Sequence, residues 1–309
     1  MIGAMAGRIL NGNEIRDQIL NDVSVGVAEA AEKGWTPGLT VVLIGDDPAS
    51  HIYVRNKIKA CQKVGIRSAM LTPPATTSTE ELLEIVQGLN NEKDVDGILV
   101  QLPLPDQIDS SKILLEIAPE KDVDGFHPSN MGALATGQPR LVPCTPAGLI
   151  EILKRSEIPI QGKRAVVMGR SNIVGKPASM LLTMENATVT VCHSRTKGLP
   201  AIAREAEILV AAMGRPAMVT KEYLGEGVVV LDVGTNRVTD PAQAEEILAY
   251  KPERLEKFKE RGSSLVGDVH PGHVADAASA YTPVPGGVGP LTIAMLMSNT
   301  LKAAKLRRG

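Results

Sequence analysis

The chain has 309 residues, 43% hydrophobic and 22% charged, with 33 Lys plus Arg against 35 Asp plus Glu. That is enough material for one large core or two smaller ones, with two favoured. The near balance of charge argues against nucleic acid or an acidic membrane surface as a partner.

The first half alternates strands and helices. Leu39 to Ile44 is an apolar run stopped by Gly45, a buried strand. Asp47 is a candidate N-cap and Pro48 the first residue of a helix that runs to about Val64, with Gly65 as its stop. Ile66 to Leu71 reads as a strand, Ser78 to Leu89 as a helix, and Gly97 to Leu102 as a strand halted by Pro103 and Pro105. The pentapeptide Lys-Asp-Val-Asp-Gly occurs at Lys93–Gly97, where it turns the chain, and at Lys121–Gly125, where it leads into Phe126-His127-Pro128. A second α/β unit starts near Arg164. Its strands are Ala165–Gly169, Thr188–Cys192, Ile208–Ala212 and Val228–Asp232, with a helix from about Pro177. The charged stretch from Val238 to Ser264 has no evident apolar face and reads as a surface excursion. Leu291 to Lys305 is a strong helix former, and Lys302, Lys305, Arg307 and Arg308 read as its solvated last turn. The alternation implies an α/β fold with parallel sheets.

Cysteine use and segment lengths bound the setting. Cys61, Cys144 and Cys192 are far apart with no CxxC pair, which argues against a disulfide framework or a zinc knuckle and for a reducing compartment. No signal peptide or membrane span is expected. Of the five histidines, His270 and His273 flank Pro-Gly with no acid or cysteine at ligand spacing, so no metal site is expected.

Six segments carry candidate chemistry. At about 100° per residue, Val54, Ile58, Cys61 and Gly65 form the inward stripe of the Pro48 helix. Ser50, Tyr53 and Lys57 border that stripe within an arc of about 60°. Lys57 is either a snorkelling lysine or a partly desolvated proton carrier, and Tyr53 could stack on a flat heterocycle. Gln101 ends a parallel strand, where ligands bind in open α/β sheets, and its amide could accept a hydrogen bond from a lysine. Asp124 could grip an amidine-like edge, or merely belong to an Asp-Gly turn.

The loop Gly169-Arg170-Ser171-Asn172-Ile173-Val174-Gly175 departs from a G-x-G-x-x-G fingerprint: Ser171 replaces the middle glycine and the last glycine comes one place late. Ser194, with Arg170 and Arg195, suits a 2′-phosphate better than the acid an NAD-selective site would offer. Pro283 to Pro290, dense in Pro and Gly, either lets a ligand approach the backbone or connects domains.

Together the strings PASHIYVRNK, DGILVQLPLP, EKDVDGFHPSNMG, LVPCTPAGLIEIL, VVMGRSNIVGKP, ATVTVCHSRT and YTPVPGGVGPLTIAML, spread from about Gly38 to Ser298, resemble the bifunctional methylenetetrahydrofolate dehydrogenase/cyclohydrolase family. The resemblance implies two domains. Residues 1–145 form an α/β folate-binding catalytic domain, to which 284–309 return through the last helix; residues 146–283 form a Rossmann-like NADP-binding domain. It implies NADP-dependent oxidation of 5,10-methylenetetrahydrofolate to the methenyl compound and hydrolysis of that to 10-formyltetrahydrofolate, in a cytoplasmic homodimer. By motif match, Lys57 resembles the catalytic lysine, Tyr53 the residue stacked on folate, Gln101 the lysine's partner and Asp124 the pterin carboxylate. Ser50, Val100, Leu102 and the loop Pro285, Gly286, Gly287, Val288 and Gly289 join them on the folate side. Gly169, Arg170, Ser171, Gly175, Ser194, Arg195 and Thr235 resemble the NADP side. Thr235 stands where the family commonly has isoleucine, and the 238–264 stretch is longer than in the family's compact form. Two other readings remain at this level: an NADP dehydrogenase of shikimate type, and a folate- or NADP-binding protein without catalysis. The first leaves Tyr53, Lys57 and Gln101 together unexplained; the second sits poorly with the presence of Lys57.

Overall fold

The computed structural model describes residues 7–308. By its contacts the chain divides into two compact units, Arg16–Cys144 with Thr292–Gly309, and Met1–Ile15 with Thr145–Leu291.

The first unit is built on a parallel sheet in which Gly38–Val42 lies between Arg67–Leu71 and Gly97–Val100. The central strand and Gly97–Val100 are buried along their whole length, as expected of parallel strands covered on both faces. The Pro48–Val64 helix starts where Asp47 accepts a hydrogen bond from the Ser50 N–H at 2.8 Å and stops at Gly65, whose φ of 81° suits glycine. Its buried face is Val54, Ala60, Cys61 and Val64. Ile58, expected inside, is only half-buried, and Gly65 is an exposed cap and no part of the stripe. The Thr79–Asn91 helix opens on a capping box of Ser78 and Glu81 and buries Leu82, Val86 and Leu89.

The Gly289–Arg308 helix returns to this unit from Thr292 onward. Its last turn is not the solvated end expected. Arg307 and Arg308 both donate to the Asp96 carboxylate, at 2.7 and 3.0 Å, and that side chain is wholly buried. Asp96 also accepts from the Gly38 N–H at 2.9 Å. The first Lys-Asp-Val-Asp-Gly copy therefore does more than turn the chain: its second aspartate joins the central strand to the returning helix.

The second unit holds a parallel six-stranded sheet in the order Arg8–Ile9, Ala280–Tyr281, Val229–Asp232, Ile208–Ala211, Arg164–Met168, Thr188–Cys192. The chain moves from Arg164–Met168 outward to Thr188–Cys192, then back across to Ile208–Ala211, which creates a switch point beside the first of these strands. The expected domain boundaries shift at two places. Arg8–Ile9 pairs with Ala280–Tyr281, so the N-terminal strand sits in the second unit's sheet, and residues 284–291 group with that unit as well. A two-residue strand has no periodicity to read; its partner decides where it belongs.

The 238–264 stretch also differs from expectation. An antiparallel ribbon of Asn236–Val238 and Ser264–Val266 carries two helices, Pro241–Leu248 and Pro252–Arg261. Ala244, Ile247, Leu248 and Phe258 are buried with Ala217, Val238 and Val266 in a core of their own. The apolar positions are split between two short helices, so no single helical stripe announced them.

Candidate functional sites on the two units

In the first unit, the Pro48–Val64 helix and the end of the Gly97–Val100 strand bring Lys57 and Gln101 together, with Asp124 near enough to feel the Lys57 charge. Lys57 is half-buried, and its Nζ donates to Gln101 Oε1 at 2.9 Å. The Gln101 amide is itself fixed: its Nε2 donates to Leu102 O at 2.6 Å and its backbone N–H to Val42 O at 2.9 Å. The acceptor oxygen is thereby oriented towards the lysine, the only arrangement in which an amide can receive an ammonium hydrogen bond. Asp124 keeps part of its surface accessible, yet burial pushes its carboxyl up to about 6; the charge of Lys57 pulls the other way and Asp122 adds to the rise.

The frame around Asp124 was not read from the sequence. Asp122 accepts from the N–H groups of Gly125 and His127 and from Asn130 Nδ2, at 2.7–3.1 Å. Lys121 is buried, with its Nζ donating to the carbonyls of Leu89, Asn90 and Glu92. Asn299, from the returning helix, donates to the carbonyls of Val123 and Val142 at 2.8 Å. Gly125, at φ 76°, packs so closely on Val142 that a Cβ would stand 2.4 Å from its carbonyl carbon. Asp124 thus rides on a backbone held from three sides. The repeated pentapeptide was the available signal, although the copies bury different members: Asp96 in the first, Lys121 and Asp122 in the second.

The remaining residues expected on the folate side are placed as follows. Tyr53 is 51% exposed, leaving a ring face free to meet a ligand. Ser50 is buried, its hydroxyl donating to Asp47 at 2.8 Å, so it serves the cap. Val100 is buried and Leu102 exposed. Pro285 to Gly289 lie in the second unit, where Gly286 O accepts the Gly12 N–H at 2.9 Å.

In the second unit, a cavity of about 400 Å³ opens at the switch point. Of the residues expected on the cofactor side, Gly169, Arg170, Ser171 and Ser194 line it, joined by His193, Met213 and Arg215 among others. The backbone here has no room for side chains. Gly169 has φ 128°, and a Cβ on it would lie 2.2 Å from Ala212 O; one on Gly175 would lie 2.2 Å from Gly169 O. Ser171, in the place of the middle glycine, accepts from the Val174 and Gly175 N–H groups and holds the turn closed. Gly175 therefore serves helix-to-strand packing. Arg195 and Thr235 are exposed and do not line the cavity. Two cations, three hydroxyls and no carboxylate in the lining fit a phosphorylated dinucleotide.

Among the described residues there is no group of three or more His, Cys, Asp or Glu able to hold a metal ion, and no helix long and apolar enough to cross a membrane. His270 and His273 stack with ring centroids 4.0 Å apart.

Two family models match the chain. The tetrahydrofolate dehydrogenase/cyclohydrolase catalytic domain covers residues 10–124, and the NAD(P)-binding domain of the same family covers 143–308. A curated relative from Koribacter versatilis (strain Ellin345), named bifunctional protein FolD, is 61% identical over 305 residues, covering 99% of each chain. A crystal structure of the bifunctional FolD methylenetetrahydrofolate dehydrogenase/cyclohydrolase from Campylobacter jejuni superposes with a TM-score of 0.88 at 42% identity, covering 98% of this chain and 100% of that one. The Trypanosoma brucei N5,N10-methylenetetrahydrofolate dehydrogenase-cyclohydrolase, solved with NADP cofactor and inhibitor, gives 0.86 at 39% identity, covering 97% and 98%.

Proposed function

The chain belongs to the tetrahydrofolate dehydrogenase/cyclohydrolase family, and from that premise we propose that it oxidises 5,10-methylenetetrahydrofolate with NADP and hydrolyses the methenyl product to 10-formyltetrahydrofolate. The family match spans both units, which displaces a shikimate-type reading that would account for the nucleotide half alone. The hydrogen bond from Lys57 Nζ to Gln101 Oε1 carries the chemical part of the proposal.

NADP, when bound, would supply the hydride acceptor; Arg170, Ser171 and Ser194 would hold it, with Gly169 allowing close approach. On the folate side, Tyr53 offers its ring to the pterin and Asp124 its carboxylate to the pterin's amidine-like edge. Removal of a hydride leaves a carbon cation shared between N5 and N10. Water adds to that carbon and loses one proton; the carbon–N5 bond then breaks as N5 gains a proton and the new hydroxyl gives its remaining proton to solvent, leaving the formyl group on N10. Lys57 takes the first proton as an amine and returns one to N5 as an ammonium. Gln101 keeps Nζ within reach throughout, which is what a positioned acid–base group requires. Mixing enzyme, NADP and methylenetetrahydrofolate should give NADPH, with the methenyl absorbance rising and then decaying. Formation of NADPH with a methenyl compound that persists at the uncatalysed rate would refute the hydrolase half.

Cofactor choice follows from the cavity. The enzyme is expected to prefer NADP over NAD, and Arg170→Ala to lose most of that preference, since a charge-assisted hydrogen bond contributes about 1.5–3 kcal/mol. The ratio of kcat/KM for the two cofactors checks this; equal use by the wild type contradicts it.

Asp124 gives a pH dependence. With its carboxyl at about 6, it is ionised above that pH and protonated below, so KM for folate should climb as pH falls through 6. In Asp124→Asn that slope should be absent and binding weaker throughout. The raised value also sets the sign for stability. Its contribution is full below the ordinary 3.8 and is lost as pH rises through about 6.

A cytoplasmic homodimer completes the proposal. The cytoplasmic part is supported by three buried free cysteines, and the dimer by family likeness.

A further inference from the structure

Two loops of the second unit leave the C-terminal ends of the parallel strands Ile208–Ala211 and Val229–Asp232, a third follows Ser264–Val266 of the antiparallel ribbon, and two buried carboxylates tie the three together. Asp268 is wholly buried. It accepts from three consecutive backbone N–H groups, those of Met213, Gly214 and Arg215, and from Asn236 Nδ2 at 2.9 Å. Asp268 is held in turn by Asp232, which accepts from the N–H groups of Gly234, Asp268 and Val269, each at 2.9 Å. Nothing larger than glycine fits around the pair. A Cβ on Gly234 would lie 2.5 Å from Asp268 Oδ1, and one on Gly267 would lie 1.8 Å from Asp232 Oδ2.

The turn that Asp268 grips is part of the dinucleotide cavity. Met213 and Arg215 line that cavity; Asp268 does not. Gly214, between them, has φ 67°, a conformation that the carboxylate stabilises by capturing the N–H on either side. Arg215 is an exposed cation on the strand end opposite Arg170 across the switch point, and no acid in the lining competes for it.

We propose that Asp268 is a positioning residue that fixes the Met213–Arg215 turn, and that Arg215, so held, is a second cation that selects the phosphorylated dinucleotide. The proposal rests on the NADP reading above and extends it to residues that the family motifs quoted for the cofactor do not contain. Asp268 acts at a distance from the ligand. An asparagine there presents an N–H₂ where at least one backbone N–H needs an acceptor, and the turn must open. Arg215 acts directly, through its guanidinium.

The test measures NADP and NAD affinity by calorimetry, alongside kcat/KM for each, in wild type, Asp268→Asn, Arg215→Ala and the double variant. Both single variants are expected to weaken NADP binding on the order of tenfold and to lower the NADP-over-NAD ratio. In the Arg215→Ala background, Asp268→Asn should change that ratio no further, because the charge it positions is gone; a merely structural aspartate would not show this coupling. If Asp268→Asn binds NADP with wild-type affinity, the proposal is overturned. Should that variant not fold, Arg215→Ala, a surface change, decides: an unchanged ratio overturns the proposal and a lowered one supports it. A wild-type protein that binds no NADP would sink the cofactor reading itself, whereas wild-type binding with unaffected variants sinks this inference alone.

Discussion

Lys57→Met is expected to lower hydrolysis of the methenyl compound by roughly 10²–10⁴-fold, the usual contribution of a positioned acid or base. Methionine keeps the length of the stem and removes both the proton and the bond to Gln101 Oε1. Hydride transfer needs alignment more than a proton carrier, so dehydrogenase activity should fall less. Two absorbance traces, methenyl decay and NADPH formation, separate the effects, with folate titration as a check on binding. Gln101→Glu offers a companion variant, since a carboxylate keeps the acceptor and stabilises the ammonium, which hinders its return of a proton. Wild-type hydrolysis by Lys57→Met would make Lys57 a snorkelling residue and end the mechanism.

The second large effect is on stability. Asp96→Ala should destabilise the first unit by about 3 kcal/mol, the lower end for breaking a buried ion pair by removing one partner. The lower end applies because Arg307 and Arg308 each keep about a fifth of their side-chain surface, 21% and 22%, in contact with solvent. Those cations can turn outward, but the Gly38 N–H cannot, and it loses its acceptor at the start of the central strand. Urea unfolding monitored at Trp35, near the Arg308 guanidinium at 5.9 Å, would measure the change. The double variant Arg307→Ala, Arg308→Ala should cost more than the sum of its parts, because either arginine alone still compensates the buried carboxylate and losing both leaves it unpaired. An Asp96→Ala protein within 0.5 kcal/mol of wild type, the range typical of plain surface changes, would show that the returning helix is held by its apolar face alone.

What the sequence determined by itself is the part governed by local geometry. Helix spacing is fixed at about 100° per residue, so Lys57 could be set at the edge of the apolar stripe before any fold was known. Asp47, Pro48 and Gly65 mark that helix because capping and the left-handed stop involve neighbours in the chain. The strand, glycine-rich turn and helix around Gly169 were legible for the same reason. Tertiary structure alone decided the rest. Asp96 meets arginines more than 200 positions away, Asp268 meets a turn more than 50 positions away, and Arg8–Ile9 pairs with Ala280–Tyr281. A carboxylate in sequence carries no sign of which distant N–H groups or cations will close around it. Charge that reads as solvent-facing becomes buried structure only when folding removes water and supplies those partners together.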